Sequence, residues 1–103
     1  MDMTVQQKRL WQSMIDLIQR YLNEETNDFY DLVGKLEGAL DAADIKDKEL
    51  VSKWYDFWTP LETRRAIQGN NIDKEKTNKE LNMMKEFLLK NINNNSSGKG
   101  DPE

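Results

Sequence analysis

The chain has 103 residues, no cysteine, no histidine and a formal net charge of −4. Those absences exclude disulfides, thiolate metal ligands, cysteine nucleophiles, and any triad or zinc site built on imidazole. With the polar stretch INNNSSGKGDPE set aside, about ninety residues remain to build one domain with a thin but sufficient core that needs no cofactor to hold it.

The first helix is predicted over residues 5–23, opening at Thr4, where T-V-Q-Q sets Gln7 three residues on as a capping partner. Leu10, Trp11, Met14, Ile15, Leu17, Ile18, Tyr21 and Leu22 recur at spacings of three and four and form its apolar stripe. A polar break, NEETND, offers Thr26, Asn27 or Asp28 as the next cap, and a second helix follows over about 27–43. Gly34 and Gly38 lie four apart in it, each costing about 1 kcal/mol relative to alanine unless something compensates.

The short link DIKDK favours an antiparallel neighbour, with Asp47 capping a third helix that carries Leu50, Val51, Trp54, Phe57 and Trp58. In DFWTPLE, Thr59, Pro60 and Glu62 form a T-x-x-E capping box with proline at the first helical position, which predicts a break or kink at Thr59-Pro60. Leu61, Ala66 and Ile67 then continue the apolar side to a stop at Gly69. Asp73 is the cap expected for a last helix with Leu81, Met84, Phe87, Leu88 and Ile92 as its stripe. The first turns of that helix, DKEKTNKE, contain no apolar side chain and are expected to fray. The prediction is an all-α compact bundle of four to five helices, one domain over 1–91, with a disordered polar tail over 92–103.

Charge is unevenly spread. Between Glu24 and Glu62 eleven carboxylates face four lysines, while the flanks together are basic. Such a field repels nucleic acid and membrane surfaces from the middle of the chain and attracts a basic partner. The opening MDMTVQQKRLWQ lacks the apolar run of a signal peptide, and no stretch reaches the roughly eighteen apolar residues that cross a bilayer, so a cytoplasmic location is expected.

The candidate partner-binding residues are Asp41, Asp44, Asp47 and Glu49, which flank one loop, and Tyr55, which points off the Trp54–Phe57–Trp58–Leu61 stripe. The four acids depart from the D-x-D-x-D-G pattern of a calcium loop, and capping accounts for them without a metal. Asp56 and Glu62 bracket the aromatic cluster as a carboxylate pair, but Glu62 already has its capping role. No phosphate loop, nucleophile elbow or dinucleotide fingerprint is present, and Lys74, Lys76, Lys79, Lys85 and Lys90 alternate with Glu75, Glu80 and Glu86. No catalytic, cofactor-binding or metal-binding residue is predicted.

At LIQRYLNEE, FYDLVGKLEGAL and FWTPLE the chain resembles a set of short bacterial all-helical proteins of unassigned activity that share an F-W-x-x-L-E-type cluster. The resemblance spans roughly residues 10–68 and implies a helical fold and a bacterial source. In size, acidity and helicity the chain is also similar to bacteriocin-type immunity proteins. The functional expectation is a non-enzymatic module that binds a basic protein, immunity- or inhibitor-like in its extreme form. The alternative is a self-associating helical protein that uses the glycine-lined face of the second helix or exposed aromatics.

Overall fold

The computed structural model describes residues 3–97, with side chains to Asn93, and among them four helices: α1 (Val5–Leu22), α2 (Phe29–Ala43), α3 (Lys48–Gln68) and α4 (Lys74–Ser97). Each helix packs on the next and α4 closes on α1, so α1 and α3 lie on one diagonal and α2 and α4 on the other. Cross-links between Gln7 and Ala43, Val33 and Trp58, Arg64 and Glu80, and Trp11 and Leu88 make every neighbouring pair antiparallel.

The helix starts follow local chemistry. Thr4 and Gln7 form the full capping box, with the Thr4 side chain accepting from the Gln7 amide and the Gln7 side chain from the Thr4 amide. Asp28 accepts from the Asp31 amide, Asp47 from the amides of Glu49 and Leu50, and Asp73 from that of Lys76. Gly69, at φ 61°, closes α3 in a conformation that glycine adopts without a Cβ penalty.

The three tryptophans tie the bundle together. Trp11 of α1 donates its indole N–H to the Leu88 carbonyl of α4 at 2.9 Å, and Trp58 of α3 donates to the Val33 carbonyl of α2 at 3.0 Å. Trp54 reaches across the core to the Met14 sulfur at 3.3 Å. Each large ring is thus buried with its one polar atom satisfied, the condition under which an indole stabilises a small interior. Phe29, Ile18, Leu36, Leu61, Leu81, Met84 and Leu88 fill the space between them.

Two expectations are corrected here. First, α3 does not break at Thr59-Pro60, and there is no fifth helix among the described residues. Trp54, Trp58 and Leu61, at spacings of four and three, are all buried, and a restart at Pro60 would rotate Leu61 off the core. Pro60 and Asp56, whose carbonyl it leaves without an amide donor, are both exposed residues, where water can stand in for the missing donor. Second, because the helix keeps its phase, Arg64 and Arg65 follow Leu61 onto the packed side, while Ala66 and Ile67 are exposed, Ile67 to 76%.

The expected tail begins at residue 92; α4 runs as far as Ser97, with Ile92 half-buried against the core. Residues 98–103 of that expected tail lie outside the described residues. The start of α4 is also held. Thr77 is fully buried, its hydroxyl accepts from Arg64 at 3.3 Å, and the Arg64 guanidinium grips the Glu80 carboxylate with two nitrogens. A bidentate, part-buried arginine pair gives the first two turns of α4 the anchor that their apolar content lacks.

Candidate functional site

The α2–α3 end of the bundle gathers the predicted partner-binding acids. It comprises the end of α2, the left-handed Asp44 at φ 51°, the link to Asp47 and the first turn of α3. Gln7 of α1 reaches the same end, donating to the carbonyls of Ala43 and Asp44 at 3.1 and 3.3 Å, which fixes the loop to the start of α1.

The acids divide by what holds them. Asp47 and Glu49 are accounted for by α3, since Asp47 caps it and Glu49 sits in its first turn, where the positive end of the helix dipole favours a carboxylate. Asp41 and Asp44 sit at the opposite kind of terminus. They close α2, where the dipole disfavours negative charge, and the last turn of α2 carries no basic residue. Asp44 pairs with Lys46 at 3.1 Å, but both side chains are largely exposed, so the pair contributes little. Among the described residues no ion pair holds Asp41 or Glu49. Among the described residues no cluster of carboxylates is arranged to hold a metal ion.

Tyr55 is half-buried in the seam between α2 and α3. Its ring packs edge-on against Trp54 and Trp58 with centroids 5.0 and 5.5 Å away, and its hydroxyl donates to Glu37 Oε2 at 3.2 Å. Burial pushes the phenol above its usual range, and the carboxylates of Glu37 and then Asp41 push it further the same way. Tyr55 and Asp41 are therefore close enough to interact, with Glu37 between α2 and the ring. Glu37 is the member that sequence reasoning missed; its place three and four residues before Leu40 and Asp41 was the available signal.

Asp47 and Glu49 instead face the end of α4, beside a groove of about 340 Å³ whose walls include Lys53, Phe87 and Lys90. The five predicted residues thus share one end but split between the α2 side and the α4 side. The carboxylate pair Asp56 and Glu62 does not assemble: Asp56 is exposed, whereas Glu62 is held by Arg65 at 2.6 Å one turn along its own helix.

No family model, no curated protein and no solved structure matches this chain. What the site can do therefore rests on its own charges. Residues 24–47, which comprise α2 and its two loops, carry eight carboxylates against two lysines. Diagonally across, α4 carries five lysines against three glutamates. The molecule has one acidic side, strongest where Glu37, Asp41 and Asp44 follow one another along α2, and a mildly basic side opposite.

Proposed function

We propose that this chain is a non-enzymatic protein-binding module that presents the α2–α3 end, centred on Asp41 and Asp44, to a basic partner protein. One observation carries the reading. Two exposed carboxylates occupy the negative end of α2, where they oppose the helix dipole and only a weak, exposed pair with Lys46 offsets it, and one of them holds a left-handed backbone that suits glycine better. Charge placed against local stability supports a role in contact, since departures from local consistency concentrate at functional sites. Glu37, Asp47 and Glu49 extend the negative surface to either side, so a cationic partner is steered to this end and repelled from α4. An inhibitor that covers the cationic site of another protein is the extreme form of this function.

The test is capture from native cells with a tagged chain, run in parallel with the Asp41→Lys/Asp44→Lys variant and at raised salt. A basic protein retained by the parent chain, and lost both from the variant and at high salt, is the expected result. Retention of the same protein by the charge-reversed variant sinks the reading.

A further inference from the structure

The seam between α3 and α4 holds two adjoining hollows of about 390 and 340 Å³ that share Pro60 and Lys76. Phe57, Pro60 and Met83 line the first, and Ile67 stands at the far end of the second. From Phe57 to Ile67 is ten residues of helix, so the trough runs for about 15 Å. Met83 and Ile67 are 53% and 76% exposed, and they are two of the four large apolar side chains that the described fold leaves in water. A third, Tyr30, already lies under Arg65, whose guanidinium sits 4.7 Å from the ring centre.

The charges around this trough balance. Arg64, Lys76 and Lys79 stand against Asp56, Asp73 and Glu80, in contrast to the excess of acid on α2 and its loops. A strongly basic or strongly acidic partner finds no net attraction here. A second copy of the chain brings the same balanced set around the same apolar centre, whereas two copies meeting through α2 repel. We propose that the α3–α4 trough is the contact face of a reversible two-fold dimer, in which each apolar contact is made twice by symmetry.

Pro60 fits this use. Inside a helix it costs about 3 kcal/mol, yet it stands exposed where the two hollows meet. There its ring is a rigid apolar surface with no amide N–H of its own to desolvate. The glycine face of α2, the other surface considered for self-association, is partly taken within the chain, because a Cβ at Gly34 would lie 3.3 Å from the Arg65 guanidinium. The trough is short, so the dimer falls among small interfaces, with a dissociation constant above about a micromolar.

Sedimentation equilibrium of the full chain from about 10 µM to about 1 mM, at about 0.15 M salt, tests the proposal. The expected mass rises from 12.1 kDa toward twice that value and stops there. Met83→Lys with Ile67→Lys should weaken dimerisation at least about tenfold, with an unchanged helical circular dichroism spectrum, since neither side chain is in the core. Asp44→Lys should leave the dimer intact, which separates this face from the acidic end. A mass of 12.1 kDa at every concentration overturns the proposal, as does growth past a dimer or undiminished dimerisation of the Met83/Ile67 variant.

Discussion

Two glycines one turn apart on α2 differ in what a methyl group would meet. Around Gly38 there is open space, so Gly38→Ala removes only the backbone-entropy penalty and should raise unfolding free energy by about 0.5 to 1 kcal/mol in a denaturant titration. At Gly34 the added carbon meets the Arg65 guanidinium, which must shift from its place over Tyr30, so Gly34→Ala should gain measurably less. Tyr55 gives a pH prediction. The folded state holds the phenols of Tyr55 and Tyr21 above their usual range, so it binds more protons than the unfolded chain once the pH passes the unfolded value of about 10. The contribution is fully present below that pH and is lost as the pH rises through the folded values. Denaturation midpoints should thus fall as the pH rises above about 10, and Tyr55→Phe should flatten part of that fall. The spacing of Trp54, Trp58 and Leu61 revealed the buried stripe, but nothing in it revealed that Tyr55 is drawn into the α2 seam. That contact depends on where Glu37 comes to lie once the helices pack.

At the scale of elements, α3 is where local and tertiary preferences conflict. T-P-L-E carries every local mark of a helix start, and a restart is what a reader of the sequence alone predicts. Burial of Trp58 and Leu61 on one continuous face outweighs it, since truncating such residues costs about 3 to 5 kcal/mol each, against about 3 kcal/mol for an interior proline. Pro60→Ala decides between the two descriptions. In a continuous α3 it restores an amide and should stabilise the protein by about 1 to 3 kcal/mol with unchanged helix content, whereas at a helix start it would be neutral or destabilising. The caps at Thr4, Asp47 and Asp73 were legible, and Asp28 was one of three candidates, because each is a local exchange between a side chain and an amide within three residues. The anchoring of α4 was not legible, because Arg64 and Glu80 are sixteen residues apart. Arg64→Ala should cost about 1 to 3 kcal/mol and should selectively raise amide hydrogen exchange over 74–80, with the end of α4 near Leu88 still protected by the Trp11 bond.

For the whole molecule, the acidic α2 side and the basic α4 side were foreshadowed by the run of acids between Glu24 and Glu62, but only the diagonal placement of the two helices turns that run into a polarity across the bundle. The same placement sorts acids that look equivalent in sequence: Asp47 and Glu49 work for α3, whereas Asp41 and Asp44 work against α2. Reversal of charge at Asp41 therefore has two opposed consequences. A lysine there meets the negative end of α2 and relieves repulsion from Glu37 and Asp44, so Asp41→Lys should raise the unfolding free energy by a few tenths to about 1 kcal/mol at low ionic strength. Because the residue is exposed, that gain should shrink as salt rises toward about 0.15 M, where the Debye length is about 8 Å. The same substitution should weaken capture of a basic partner. A variant that becomes more stable as it loses binding marks a carboxylate held for contact, whereas one that loses stability along with binding shows Asp41 to be part of the fold. Thermal melts of Asp41→Lys at low and moderate salt, paired with the capture experiment, separate these outcomes.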